Sequence, residues 1–121
     1  MTTVLIVDDE ALIRWSIAET LEAAGFVVIE ASTAREALQR LGAGGRPITV
    51  VLLDLKLPDS SDLGLLKRIR AQAPAAKVIL MTAHGSAEVL EEARREGAYR
   101  AVSKPFDMQG IVGLVQSAAI A

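Results

Sequence analysis

The sequence predicts an α/β fold: one doubly wound (βα)5 domain, a five-stranded parallel sheet with helices on both faces. Three observations lead there. Short apolar runs alternate five times with segments of helical periodicity, and that alternation builds a parallel sheet between helix layers. The run Val50-Val51-Leu52-Leu53 is apolar without a break, as in a strand buried on both faces. The 121 residues suffice for one domain, which buries roughly two-thirds of its unfolded surface. Strand order 2-1-3-4-5, common among such sheets, would set strands one and three side by side at the switch point.

The elements follow in order. Thr3 to Val7 is the first strand, ended by Asp8-Asp9-Glu10. From Ala11 to Ala24 the spacing turns helical, with Ile13, Ile17, Leu21 and Ala24 on one stripe and Gly25 as the stop. Phe26 to Ala31 is the second strand. Thr33 and Glu36 stand at capping-box spacing before a helix carrying Ala34, Ala37, Leu38 and Leu41. Gly42 to Pro47 is a loop, and the third strand occupies Thr49 to Leu53 before Asp54. Pro58 to Asp62 leads to the N-cap of a helix buried through Leu65, Leu66 and Ile69, which Pro74 closes. Lys77 to Met81 is the fourth strand. A charged helix spans Ser86 to Glu96, Tyr99 to Val102 is the fifth strand, and Asp107 caps a last helix weakened by Gly110 and Gly113.

Composition narrows the function. The chain is 51% apolar and has no cysteine, which removes disulfides and thiolate metal sites. A net charge of -2 argues against this domain gripping nucleic acid by itself. No apolar stretch approaches the roughly 20 residues that span a membrane, and no secretory signal opens the chain, so a cytoplasmic location is expected.

In a parallel sheet, right-handed crossovers bring every strand's C-terminal end to one edge. Asp8 and Asp9, Asp54, Thr82 and Lys104 all stand at strand ends. With strands one and three adjacent, Asp8, Asp9 and Asp54 would meet in one pocket. Two bare carboxylates about 4 Å apart repel by roughly 4 kcal/mol at an effective dielectric near 20. Lys104 alone cannot neutralise three, whereas a divalent cation with oxygen ligands can, and Mg²⁺ suits carboxylates, waters and a phosphoryl oxygen together. A carboxylate beside Mg²⁺ can act as a nucleophile toward phosphorus, with a cationic side chain and a hydroxyl around the transferred group.

Four motifs carry a resemblance: Val7-Asp8-Asp9-Glu10, Leu53-Asp54-Leu55-Lys56-Leu57-Pro58, Met81-Thr82-Ala83 and Lys104-Pro105-Phe106. From Val4 to about Ser117 the chain resembles the CheY-like, flavodoxin-like receiver domain of two-component response regulators. Ile13-Arg14-Trp15 and Met81-Thr82-Ala83-His84 are similar, more narrowly, to receivers of NtrC-type transcription regulators. The resemblance implies that Asp54 accepts a phosphoryl group from a histidine kinase. It implies Mg²⁺ held by Asp9 directly, Asp8 mainly through water, Asp54 itself and the backbone carbonyl of Lys56. Thr82 would bond the phosphoryl group, Lys104 would pair with it, and the Lys104-Pro105 peptide would be cis. The chain would then be a phosphoacceptor with Mg²⁺-dependent self-phosphorylation and dephosphorylation rather than an enzyme with a separate substrate. Residues 1–121 read as a single receiver domain without an output domain, signalling through the face of its fourth helix, fifth strand and last helix.

The chain departs from the pattern at Ala101, where receivers usually carry an aromatic three residues before the lysine. Tyr99 should share Ala101's face by strand alternation, and is expected to fill the core rather than replace that ring. Asp62 and Gly64 are also slightly displaced from the usual Asp-Gly pair. The alternative this leaves is a receiver acting as a protein-interaction module with little phosphorylation control. A phosphatase with an Asp-x-Asp nucleophile fits less well, as does a flavin module whose phosphate three carboxylates would repel. His84, the only histidine, reads as an exposed loop residue or as a tuner of phosphoryl lifetime. Trp15 is expected to pack the first helix. Ile111, Leu114 and Val115 are expected to pack the last, and whether apolar residues remain for a homodimer is left open.

Overall fold

The computed structural model describes residues 2–60, 62–83 and 87–121. Five strands, β1 (Thr3–Val7), β2 (Val27–Ala31), β3 (Val50–Asp54), β4 (Lys77–Thr82) and β5 (Arg100–Ser103), form one parallel sheet in the order β2-β1-β3-β4-β5. The helices between and after them are α1 (Ala11–Ala23), α2 (Ala34–Gly42), α3 (Gly64–Gln72), α4 (Ala87–Arg95) and α5 (Met108–Ile120). Fold class and strand order are those the sequence predicts, with β1 as expected and the other stated strand and helix ends moved by at most one residue.

The unbroken apolar strands divide by parity into two cores. Leu5, Val7, Val51, Leu53, Val78 and Leu80 meet Leu65, Leu66 and Ile69 of α3 and the small residues Ala37 of α2 and Ala93 of α4. Val4, Ile6, Val50, Leu52, Ile79 and Met81 meet Ile17 and Leu21 of α1 and Ile111 and Val115 of α5. A period-2 backbone therefore uses every residue of the run, which is why no polar alternation appears.

Helix ends are set locally. After α1, Gly25 at φ 97° lets its own amide reach Glu22 O and the Phe26 amide reach Leu21 O, both at 3.0 Å. Gly97, at φ 99°, closes α4 in the same way, with bonds to Arg94 O and from Ala98 to Ala93 O. Both are Schellman ends, which need a left-handed residue that glycine adopts without cost. The α2 start carries the expected cap: Thr33 Oγ1 accepts from the Glu36 amide at 3.0 Å, and Glu36 reaches back to the Ser32 amide. Asp59, from the tight Leu57–Ser60 turn, adds a cap from outside the helix by accepting from the Ala34 and Arg35 amides at 2.8 and 3.0 Å. Those two bonds hold the Asp59 carboxyl below its ordinary range.

Two local expectations need correction. Trp15 does not pack α1: its side of the helix faces solvent, it is 58% exposed, and Ala18 takes the buried place between Ile17 and Leu21. Ala24 is the exposed C-cap of α1 rather than part of its buried stripe. At α3 the N-cap is Leu63, and Asp62 just before it serves the helix start by accepting from the Gly64 amide at 2.8 Å.

Leu52 lies at the centre of the sheet with no exposed surface. Leu52→Ala should cost about 3 kcal/mol, since the strands and helices around it cannot collapse into the space. Urea unfolding followed by circular dichroism checks this; a loss below about 1 kcal/mol would mean the core repacks freely.

Candidate functional site

Register brings the site together. Val7 pairs with Leu53, so the residues after them, Asp8 and Asp54, emerge side by side from the two central strands. By parity both continue the Val4/Ile6 and Val50/Leu52 series toward α1 and α5. Thr82 closes β4 and pairs with Ser103, which puts Lys104 one step beyond the sheet, and the Lys104 amide donates to Thr82 O at 2.8 Å. From there the long side chain turns back over the strand ends. The Lys104-Pro105 peptide is cis, as the resemblance implies.

Lys104 Nζ lies 3.1 Å from Asp8 Oδ2, 3.2 Å from Asp54 Oδ2 and 3.2 Å from Glu10 Oε1. Asp8 is fully buried, Asp54 and Thr82 nearly so, and the Glu10 side chain is 57% exposed. The second oxygen of each aspartate is fixed by a backbone amide two residues on: Glu10 N–H to Asp8 Oδ1 at 2.9 Å, and Lys56 N–H to Asp54 Oδ1 at 3.0 Å. Above them opens a cavity of about 640 Å³ lined by Asp9, Glu10, Asp54, Lys56, Thr82 and Lys104 among others.

The structure thus gathers every expected site residue at one edge, with one change in the acidic trio. The carboxylates whose oxygens lie within 4.8 Å of one another are Asp8, Glu10 and Asp54. Asp9 is exposed and lines the cavity instead. Three carboxylates against one ammonium leave the cluster with an excess of negative charge. Hard oxygen donors with a charge excess suit a divalent cation such as Mg²⁺, so the residues present fit that ion.

Two residues of this region escaped the sequence reading. Glu10 counted only as the end of an acidic run. Arg14 appeared only inside a motif, yet its Nη1 donates to Asp8 O at 2.7 Å and its Nε to Glu30 Oε1 at 3.0 Å. It ties the β1 end and β2 to α1 from behind the pocket. Local spacing offered no signal for either: Glu10 is the extended N-cap of α1 and reaches Lys104, while Arg14 reaches Glu30 of β2.

The other flagged positions are less central. His84 lies outside the described residues. Ala101 pairs with Leu80 and is exposed, beneath a groove of about 410 Å³ between α4 and β5 lined by Leu90, Tyr99 and Arg100 among others. Tyr99 precedes β5, so strand alternation does not govern it. It is half-buried against the α1/α5 core, with the Arg100 guanidinium 5.0 Å from its ring centre.

Burial raises the Asp54 carboxyl above its ordinary value near 3.8; the Lys56 amide opposes this, the Asp8 charge adds to it, and Lys104 offsets part. Burial alone would lower Lys104, but the bonds and charges of Asp8 and Asp54 outweigh it and raise the ammonium. A carboxylate raised by folding weakens the fold above its folded pKa, and the cost disappears below its unfolded pKa. The raised lysine has the same sign of pH dependence, but its contribution is still present at pH 7 and is lost only as pH climbs through its folded value. Asp54→Asn should therefore raise the urea midpoint at pH 7, with the advantage shrinking as pH falls toward 3.8. Lys104→Ala should lower the unfolding free energy by about 3 kcal/mol, since it strands buried carboxylates. Equal effects of the same sign would contradict this balance.

Comparison with known proteins gives a consistent answer. The profile of the response regulator receiver domain matches residues 4–116. The DNA-binding transcriptional regulator NtrC of Escherichia coli K12 is 35% identical over 115 residues, 95% of this chain and 24% of that protein. The putative response regulator NtrX-like of Rickettsia felis is 38% identical over 117 residues, again 95% and 24%. Among solved structures, the receiver domain of NtrX from Brucella abortus superposes with a TM-score of 0.88 at 32% identity, covering 98% of each chain. A receiver domain protein from Clostridium thermocellum reaches 0.91 at 31% identity, over 99% of this chain and 95% of that one. The chain spans about a quarter of the length of the curated relatives it matches.

Proposed function

This chain belongs to the response regulator receiver domain family, related to NtrC and NtrX, and on that premise we propose that Asp54 accepts a phosphoryl group from a histidine kinase. The observation that carries the reading is the posture of Asp54. One oxygen is held by the Lys56 amide and the other lies against Lys104, at the floor of an open cavity. A nucleophile so fixed loses little orientational freedom on reaction.

In the transfer, an Asp54 oxygen forms a bond to phosphorus as the donor's P–N bond breaks, and the leaving imidazole keeps the electron pair. Asp8, Asp9 and Asp54, with the Lys56 carbonyl, would hold Mg²⁺. When bound, that ion supplies the positive charge under which the carboxylate and the phosphoryl group can approach. Lys104 pairs with the transferred group, and Thr82, at the end of β4, offers it a hydroxyl. The added group brings about -1.5 to -2 charges. Favouring one conformation decisively takes a few kcal/mol, within reach of such charged contacts.

The switched surface is α4, β5 and α5, and the output it controls is transcription by an attached or partner element, as the relatives' names suggest for their longer chains. This domain contacts no nucleic acid itself, consistent with its net charge of -2. A cytoplasmic site of action accords with this role; among the described residues no helix is long and apolar enough to cross a membrane. Ala101 favours a second reading, a receiver working mainly as an interaction module, because the ring that usually links threonine to the last strand is missing.

Incubation with Mg²⁺ and acetyl phosphate should give one phosphoryl adduct by intact mass in wild type and none in Asp54→Asn. Beryllofluoride should shift amide resonances in the pocket and along β5 and α5. Persistent labelling of Asp54→Asn sinks the assignment. Shifts confined to the pocket favour the second reading.

A further inference from the structure

Lys104 has three N–H donors, and three carboxylates lie within hydrogen-bond reach of them: Asp8, Glu10 and Asp54. A phosphoryl group on Asp54 takes over the donor that Asp54 itself releases, and to bond its oxygens with a second donor Lys104 must also let go of another carboxylate. The three are not equivalent. Asp54 releases its own contact as its carboxylate becomes an ester, whereas the Asp8 side chain is 0% exposed and pinned by a backbone amide, so it cannot turn away without stranding a buried charge. The Glu10 side chain is 57% exposed and returns to water when it lets go. With Asp9 beside it, its carboxylate also lines the cavity, where it would repel an anion on Asp54.

We propose that Glu10 is a detachable counter-ion of Lys104, a brake that competes with the phosphoryl group for the lysine and sets how readily the pocket takes an anion. Glu10 is thus a positioning residue acting through Lys104. The proposal rests on the phosphoacceptor reading and assigns a regulatory part within that site.

The test is a beryllofluoride titration at saturating Mg²⁺, with Mg²⁺ affinity measured separately, on wild type, Glu10→Gln and Glu19→Gln. The last removes an equal charge from the exposed side of the same helix. Glu10→Gln should bind beryllofluoride about threefold more tightly, the scale of one partly exposed charge contact, while Glu19→Gln stays at the wild-type value. The Nζ resonance of Lys104, in protein labelled with ¹⁵N-lysine, should move in anion-free Glu10→Gln toward its beryllofluoride-bound position. Unchanged or weaker beryllofluoride binding by Glu10→Gln overturns the brake. Weaker binding together with a matching loss of Mg²⁺ affinity identifies Glu10 as a metal ligand instead. Equal gains in Glu19→Gln also overturn it, as a general charge effect. If wild type itself does not respond to beryllofluoride, the phosphoacceptor reading falls and the brake falls with it.

Discussion

In a parallel sheet covered by helices on both faces, the central strands can carry charge only at their ends. Every residue of Val50–Leu53 is committed to one core or the other, so Asp54 is the first position on β3 at which a polar group can be solvated or paired. The same holds for Asp8 after β1, while Lys104 follows β5, an edge strand whose residues are mostly exposed. The pocket is where apolar burial stops, and register decides which charges meet there.

Charges meeting at such an edge contribute little to the fold. Burial already pushes the Asp54 carboxyl up, and Asp8 beside it adds to the cost. A single lysine is shared among three carboxylates. Buried ion pairs seldom repay their desolvation in full, and apolar residues of similar size would make a steadier strand end. A polar cluster kept under those terms, open to a cavity and with negative charge to spare, is arranged for a ligand. The clamp behind it fits the same view: Arg14 holds the Asp8 carbonyl and Glu30 without entering the cavity lining, so it fixes the pocket's wall and leaves its charge balance to the other residues.

What the sequence made legible divides along the same line. Strands, their order and the residues closing them could be read because each depends on a local run followed by a polar residue. Asp8, Asp54, Thr82 and Lys104 needed only that rule. Glu10 and Arg14 did not follow from it: they sit at the start of α1, Glu10 as its N-cap and Arg14 in its first turn, and their partners are 94 residues away on Lys104 or on β2 at Glu30. Asp59 capping α2 across 25 residues is the same kind of contact, set by where a turn lands. Trp15 shows the reverse failure. A large aromatic in a helix suggests burial, yet helical phase turns it outward while Ile17 and Leu21 satisfy the sheet. Phase outranks side-chain size when a helix packs through one narrow face.

The softness of one flank follows from the sheet order. β5 is an edge strand of four residues paired only to β4, and most of its residues are exposed. Its neighbour α4 buries a single residue, Ala93, among those described. Few apolar contacts and an unpaired strand edge mark this as the region with the lowest cost of local rearrangement. Lys104 follows β5 directly, and its amide bond to Thr82 continues the β4–β5 ladder. Any ligand that drew the Lys104 ammonium to a new position would therefore act on the least firmly held strand through one peptide unit. Ala101 leaves a groove of about 410 Å³ beside that strand, space into which α4 and β5 can settle by different amounts. A conformational response could then travel along the backbone of β5 without an aromatic side chain at position 101 to relay it.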